Sequence, residues 1–263
     1  MTAAAVAQDW FLGVEIANLD TIGAAAVIAA RDPALPFAYV VTPNAQHMVI
    51  LDRGSDPAFT QAYDGAWLRL CDSQIMRLLG RTLLGRDLPH AAGSDVTARL
   101  FSAHVKPDDA ITVIGGDDEL AARLRQRYGL TRLHLHQPPM GFIKNPAAVA
   151  ACIDFVLDHP ARYVFFAVGA PRSELLAHRI AKQGGATGVG LCIGSSLHFI
   201  TGLVPRAPRW MRRFALEWLY RLARDPRNHA RRVFVESLPL VGMALRARFT
   251  APDRRHLPRR RPA

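Results

Sequence analysis

Short apolar runs alternate with amphipathic stretches along most of this chain. The runs are rich in β-branched and aromatic residues, and several end at a Gly or Pro turn. Runs of this length and composition predict buried strands. The predicted strands are Ala38–Thr42, Leu68–Cys71, Ala110–Gly115, Leu133–His136, Tyr163–Val168 and Ala186–Ile193.

Between these strands, apolar residues recur at helical spacing. The predicted helices are Ala45–Leu51, Ser73–Leu79, Val96–His104 (opened by a turn and N-cap at Gly93-Ser94-Asp95), Asp118–Tyr128, Pro146–Leu157 and Glu174–Gly184. Continuous apolar strands that alternate with such helices predict an α/β fold, a parallel sheet with helices on both faces. Ligands bind such sheets at the carboxyl ends of the strands, so the turns after Thr42, Gly115 and Val168 are candidates to line one crevice.

The positive charge of the chain is concentrated in its last sixty residues. From Val204 onward there are sixteen arginines, no lysine and four acids, a net charge of +12, whereas residues 1–203 carry −1. Arginine binds phosphate groups bidentately. This division predicts a core over residues 1–203, an arginine-rich appendage over 204–250 and a disordered tail over 251–263.

The appendage contains one strong helical pattern, Met211–Arg224. Its apolar face includes Phe214 and Trp218, and arginines lie on the opposite side. Packing on the core is the more common fate of such a face. The alternative is an anionic membrane surface, which combines phosphate groups with hydrocarbon.

Composition indicates the compartment. Three cysteines without C-x-x-C spacing favour reduced thiols and the cytosol. No run reaches the roughly 18 apolar residues of a spanning helix. The segment Met1–Asp9 lacks the basic region of a signal peptide. We therefore expect a cytoplasmic protein that meets a membrane only at its surface.

Three polar residues lie at the carboxyl ends of the first two predicted strands. Asp72 lies between a strand and a helix, where a carboxylate can act as a general base. An N-cap for the helix that begins near Ser73 is the more common role on chemistry alone. Thr42 and Asn44 flank Pro43 and can hydrogen-bond a sugar or phosphate, although turns favour the same residue types.

Other motifs are weaker. His134 and His136 share a strand face but have no apparent third ligand, so structural histidines are favoured over a metal site. Gly188, Gly190 and Gly194 miss the dinucleotide-binding spacing by one residue, and tight packing is the more common explanation. There is no P-loop, no G-x-S-x-G elbow and no Asp-x-Asp pair for a divalent ion, so arginines would have to neutralise a diphosphate.

Taken together, several segments resemble the WecB/TagA/CpsF glycosyltransferases (family 26), which build bacterial surface polysaccharides. They occur in the family's order over roughly residues 11 to 235. The matching segments are Thr42-Pro-Asn-Ala-Gln-His47, Cys71-Asp-Ser73 followed by Leu78-Leu-Gly80, Leu88-Pro-x-x-x-Gly93-Ser-Asp95, Pro139-Met-Gly-Phe142, Val168-Gly-Ala-Pro-Arg-Ser-Glu174, Gly194 through Phe199 to Gly202, Arg206-Ala-Pro-Arg-Trp-Met211, Leu216–Leu222 and Asp225-Pro-Arg227.

The resemblance implies a Rossmann-like core with a helical C-terminal appendage. It implies inverting transfer of a sugar from a UDP-sugar to a polyprenyl-diphosphate-linked acceptor at the cytoplasmic membrane face, without a metal or a cofactor. Asp72 matches the family's proposed base. The implied substrate-binding residues are Thr42, Asn44, Ser94, Asp95, Gly169, Pro171, Arg172 and Glu174, and the implied diphosphate-binding residues are Arg206, Arg221 and Arg227.

The chain departs from the family pattern at three positions. Ser73 stands where the family usually has Gly, Ser173 where it has Gln, and His198 where it has Asp. These departures put the donor sugar in doubt and keep open a weakly active or non-catalytic assembly component.

Two other classes stay open as rivals. A nucleic-acid-binding protein is suggested by the arginine-rich tail, but no nucleic-acid motif accompanies it, and we expect no nucleic-acid partner. A nicotinamide oxidoreductase is suggested by the α/β pattern, against which the glycine spacing counts. A homo-oligomer is compatible with the sequence.

Overall fold

The fold is seen in a computed structural model, which describes residues 6–208, 211, 217–224, 226 and 238–249, without the side chains of residues 217, 218, 221 and 224. Its central sheet has six parallel strands in the order β4-β3-β8-β7-β5-β6, beside a two-stranded antiparallel sheet of β1 and β2. The strands are β1 (Gln8–Phe11), β2 (Val14–Ala17), β3 (Ala38–Val41), β4 (Leu68–Arg69), β5 (Ile111–Ile114), β6 (Leu133–His136), β7 (Tyr163–Phe166) and β8 (Val189–Cys192). The predicted Rossmann-like α/β fold is confirmed.

Helices connect the strands and cover the sheet. They are α1 (Thr21–Ala30), α2 (Ala45–Arg53), α3 (Pro57–Asp64), α4 (Gln74–Leu79), α5 (Gly93–Ala103), α6 (Asp118–Tyr128), α7 (Pro146–Asp158), α8 (Arg172–Gln183), α9 (Ser196–Thr201), α10 (Glu217–Arg224) and α11 (Pro239–Phe249). A π-helical segment, Gly80–Leu84, continues α4, and a short 3₁₀ helix spans Phe142–Lys144.

Local chemistry explains where the clearest helices begin. The Asp117 carboxylate accepts from the backbone N–H of Leu120 at 2.9 Å and caps α6, whose first turn is acidic. Asn145 caps α7 in the same way, with Pro146 at the first helical position. Asp56 and Pro57 repeat this arrangement at α3.

The core has two parts, one on each face of the sheet. One contains buried residues of α2, α3, α4, α7, α8 and α11, and the other those of α1, α5, α6 and α9. The β7 strand contributes alternately: Val164 and Phe166 to the first, Tyr163 and Phe165 to the second. Strands buried on both faces explain the continuous apolar runs in the sequence.

Two boundaries differ from the predicted ones. The N-cap of α4 is Ser73, whose Oγ accepts from the backbone N–H of Met76 at 3.3 Å, so the capping role suggested for Asp72 is wrong. Helix α5 begins at Gly93, and Asp95 lies inside its first turn instead of capping it. The apolar segments extend beyond the ladder hydrogen bonds, which explains why most observed strands are shorter than predicted.

Beyond residue 208, the structure describes two helices, α10 and α11, and two further single residues, 211 and 226, together with residue 238 before α11. Part of the predicted helix Met211–Arg224 is observed as α10. Helix α11 begins at Pro239, because proline is well tolerated at the first position of a helix. The predicted disordered tail, 251–263, lies outside the described residues. None of the described helices has the length and apolar composition that crossing a bilayer requires.

Candidate active site at the ends of β3 and β4

The segments that follow β3 and β4 are held together at the carboxyl edge of the sheet. The backbone N–H of Asp72 donates to the carbonyl of Pro43 at 3.1 Å, and the N–H of Ala91 donates to the carbonyl of Cys71 at 2.9 Å. Three separate stretches of sequence therefore meet at Asp72: the turn after β3, the loop before α4 and the loop before α5.

The Asp72 side chain is oriented by the beginning of α5. Its Oδ1 accepts from the backbone N–H of Gly93 at 3.1 Å, and the side chain is half-buried. Thr42 lies on the other side of Gly93, because a Cβ at position 93 would be only 3.2 Å from its Oγ1. The Thr42 hydroxyl donates to the carbonyl of Cys192 at 3.3 Å. Asp72 and Thr42 thus share one small region where β3, β4 and β8 end.

Asn44 has the structural role that turn chemistry favours. Its Oδ1 accepts from the backbone N–H of His47 at 3.2 Å and caps α2. Its Nδ2 lies 3.5 Å from His47 Nε2, while His47 Nδ1 is 2.7 Å from the hydroxyl of Tyr63. Asn44 is therefore fixed by buried neighbours and is half-buried itself. A contact with substrate stays a prediction.

Arg206 is bound to α5 one residue beyond Ser94. Its Nη1 is 2.7 Å from Asp95 Oδ1, and its Cζ lies 5.9 Å from the ring centroid of Phe199. The Nε of Arg206 is buried and has no hydrogen-bond partner among the described residues. The first turn of α5 also supplies the Gly93 N–H that donates to Asp72. Arg206 and the Asp72 carboxylate are therefore both held by this turn. Ser94 is half-buried in the same turn.

The structure adds one residue that the sequence did not indicate. His90 hydrogen-bonds the backbone carbonyl of Asp72. Burial lowers the pKa of His90, the Asp95 carboxylate opposes that shift, and the positive charges of Arg77 and Arg206 add to it. The lowered pKa favours the neutral imidazole, and His90 is near enough to Asp95, Arg77 and Arg206 for their charges to act on it. No local motif reveals this position, since its partners are brought together only by folding.

Glu174 is a buried residue of α8 and is not exposed at the strand ends. Its side chain is 2% exposed, and Oε2 has no partner in the described part of the chain. Burial raises the pKa of this carboxyl to about 7, partly offset by its own backbone N–H. The charge of Glu174 in turn contributes to raising the pKa of Tyr63 and Cys192, for which burial is the main cause. Direct contact between Glu174 and a sugar stays a prediction.

Two departures from the family pattern have specific surroundings. Ser173 is buried, and its hydroxyl donates to the carbonyl of Phe166 at 3.3 Å, so it points into the core. The Nδ1 of His198 is buried and lacks a partner among the described residues. Each side chain differs in reach or charge from the residue usual in the family, and an effect on the choice of donor sugar stays a prediction.

The remaining predicted residues lie at the same edge or outside the described parts. Gly169 and Pro171 lie in the turn between β7 and α8, and Arg172 is the first residue of α8; Pro171 is exposed and Arg172 half-buried. Arg221 belongs to α10, but its side chain is outside the described residues, as is the whole of Arg227. A role for these arginines stays a prediction.

In the described part of the chain, neither a metal cluster nor the cavity between α7 and α8 marks the site. Among the described residues, no three His, Cys, Asp or Glu side chains are grouped to hold a metal ion. His134 instead packs against His159, with ring centroids 4.4 Å apart. A cavity of about 420 Å³ lies between α7 and α8, lined by residues such as Val149 and Arg179, and includes none of the predicted site residues.

The comparison with known families agrees with the segments found in the sequence. Residues 10–254, most of the chain, match the glycosyl transferase WecG/TagA/CpsF family. Members of this family are glycosyltransferases of cell-surface glycan synthesis. The α/β fold, with Thr42 and Asp72 at the ends of β3 and β4, agrees with this match. The chain belongs to the WecG/TagA/CpsF family of glycosyltransferases.

Proposed function

We propose that this enzyme transfers a hexosyl or N-acetylhexosaminyl group from a UDP-sugar to a polyprenyl-diphosphate-linked acceptor, with inversion at the anomeric carbon. The observation that carries the proposal is the junction around Asp72, where the carboxylate, Thr42 and the Arg206–Asp95 pair converge on the beginning of α5. This edge of a parallel sheet is where such folds bind ligands.

In the proposed reaction, a hydroxyl of the acceptor attacks the anomeric carbon of the donor. The oxygen–carbon bond to the acceptor forms as the bond to UDP breaks, and the hydroxyl proton moves to the Asp72 carboxylate. The hydrogen bond from Gly93 orients that carboxylate. His90 holds the backbone of the same residue. UDP leaves with the bonding electron pair.

Arg206 is the residue we propose to stabilise the charge on the departing diphosphate. Preorganised guanidinium groups supply such stabilisation without a metal ion. Ion pairing to Asp95 keeps Arg206 near the site before substrate binds. Arg221 and Arg227 are proposed to join it. We propose no metal and no cofactor, so chelation with EDTA should leave turnover unchanged.

The acceptor determines where the enzyme works. A polyprenyl diphosphate resides in the membrane, so we propose a peripheral location on the inner face of the cytoplasmic membrane. The net charge of +12 beyond residue 203 supports attraction to anionic lipid headgroups. Oligomerisation of the chain is compatible with this location.

A screen of UDP-sugars for UDP release, with and without a short-chain polyprenyl-diphosphate-linked acceptor, tests the proposal. One donor should release UDP in an acceptor-dependent way, and nuclear magnetic resonance of the product should show inverted configuration. Absence of acceptor-dependent release with every donor would favour the non-catalytic assembly component over an active enzyme.

A further inference from the structure

The last described helix, α11, presents an apolar stripe to solvent. Leu238, immediately before the helix, is 59% exposed, Leu245 is 42% exposed and Phe249 is 82% exposed. These residues, together with exposed Gly242, follow the spacing i, i+4, i+7 and i+11, which places them on one side of a helix. Three large exposed apolar side chains in one row need an explanation that scattered ones do not.

The opposite side of α11 fixes the helix to the core. Leu240, Met243 and Ala244 are buried, and the helix packs on α2 and on the π-helical segment that continues α4. Arg248 Nη1 also donates to the carbonyls of Thr82 and Leu83, at 3.3 and 3.4 Å. The stripe therefore lies on an anchored helix.

Helix α4 adds apolar exposure next to this contact. Leu78 is 61% exposed and Ile75 is 36% exposed, and they are spaced i, i+3 on one side of α4. We call Ile75, Leu78, Leu238, Leu245 and Phe249 the apolar platform.

The two helical segments that form the apolar platform carry charges of one sign, and the neighbouring α2 adds one acid, Asp52, and one base, Arg53. Neither Gln74–Leu84 nor Pro239–Phe249 contains an acid, whereas together they contain Arg77, Arg81, Arg246 and Arg248. Arg81, Arg246 and Arg248 are exposed. On α11 the two arginines flank the stripe, since they follow Leu245 by one and three residues.

We propose that the apolar platform docks on an anionic lipid bilayer, with its leucines and phenylalanine at the level of the acyl chains and its arginines at the headgroups. Large apolar side chains flanked by arginines are typical of interfacial helices. The charge complementarity with anionic headgroups favours a bilayer over a second copy of this basic chain. This inference rests on the proposed function, because it specifies how the enzyme meets its lipid-linked acceptor.

The position of α4 relates the platform to the chemistry. Ser73 caps α4 and directly follows Asp72, so the helix that carries Ile75 and Leu78 begins at the proposed base. Docking there would bring a diphosphate at the headgroup level close to the strand ends that hold Asp72.

The test compares two variants of the full chain in vesicle co-sedimentation. L245E/F249E places acids in the exposed row, where neither side chain is needed for the core. Ile22→Glu is the matched control, since Ile22 is 59% exposed on α1, whose core lies on the other face of the sheet. With phosphatidylglycerol-containing vesicles, we expect the double variant to bind at least about tenfold more weakly than the wild type and Ile22→Glu to bind normally.

Vesicle binding unchanged in L245E/F249E would overturn the proposal. A wild-type dimer that becomes monomeric in the double variant, with vesicle binding retained, would assign the platform to a second copy and would also overturn it. Turnover on a water-soluble short-chain acceptor separates this inference from the proposed function. If the wild type turns over no UDP-sugar, yet vesicle binding depends on the platform, the docking surface stands and the proposed reaction fails.

Discussion

Arg206 and Asp95 form an ion pair, 2.7 Å between Nη1 and Oδ1, that ties the beginning of the arginine-rich appendage to the first turn of α5. The same turn donates the Gly93 N–H to Asp72. The first turn of α5 therefore holds both the proposed base, Asp72, and the arginine that we propose to bind the diphosphate, Arg206. Acid and arginine lie far apart in the sequence, and their relationship exists only in the folded chain.

Arg206→Ala should therefore reduce kcat/KM by about 10² to 10³, because a preorganised cation is removed from the leaving group. Arg206→Lys keeps the charge but not the planar fork, and we expect only partial recovery. UDP-release kinetics would measure both variants. Arg99→Ala, at an exposed position of α5, is the control for charge alone. Wild-type kinetics for Arg206→Ala would remove this residue from the proposed site.

Asp72→Asn should lower turnover by about 10² to 10⁴, the usual contribution of a general base. The amide oxygen of Asn can still accept from Gly93, so the fold and UDP binding should persist. Calorimetric titration with UDP and thermal unfolding would verify this. Asp52→Asn, on the exposed side of α2, controls for the loss of one acid. Turnover within a few fold of the wild type would contradict the assignment of Asp72 as base.

The sequence predicted the elements whose signals are local. Helix α6 and strand β6 have the predicted bounds, because Asp117 caps the helix and the LHLH run of β6 lies between turn signals. Asp56 followed by Pro57 is the same kind of local signal at the start of α3.

The hairpin of β1 and β2 lacks the usual sequence signal of a hairpin turn. Its turn residues are Leu12, with φ 49°, and Gly13, with φ 77°. A leucine in the left-handed region is uncommon, and hairpin turns are normally recognised by Asn-Gly or Asp-Gly.

The contact of His90 with Asp72 could not be predicted from the sequence, since it depends on long-range packing and not on spacing along the chain. The residues Thr42, Asn44 and Asp72 were predicted; their convergence with Arg206 required the fold.

Glu174 should make stability depend on pH. Burial raises its pKa from 4.5 to about 7, so in this window the folded state holds a proton that the unfolded chain has lost. The unfolding free energy should therefore fall as pH rises from 4.5 to 7, by about 3 kcal/mol, and stay level above. A glutamine side chain cannot ionise, so the unfolding free energy of the Glu174→Gln variant should not show this fall between pH 4.5 and 7.

Chemical denaturation at pH 5, 6, 7 and 8 would measure that slope. Glu119→Gln is the matched control, because the Glu119 side chain is 59% exposed and pairs with Arg123 on the surface of α6. The control should follow the wild type at each pH. Identical slopes for Glu174→Gln and the wild type would contradict the raised pKa of Glu174.

The glycine cluster at the start of β8 should prove structural. Gly188 precedes the strand, has φ +80°, and a Cβ there would lie 2.0 Å from the carbonyl oxygen of Ala161. Gly188→Ala should therefore destabilise the protein by about 3 kcal/mol or more, since strain adds to a backbone clash. Gly54→Ala, with φ +59° and nothing within 4 Å, should cost only about 1 kcal/mol. Urea unfolding of both variants measures the difference. Equal costs would show that the backbone near Ala161 relaxes. A selective loss of nucleotide binding in a stable Gly188→Ala variant would instead support a role of these glycines in binding a nucleotide.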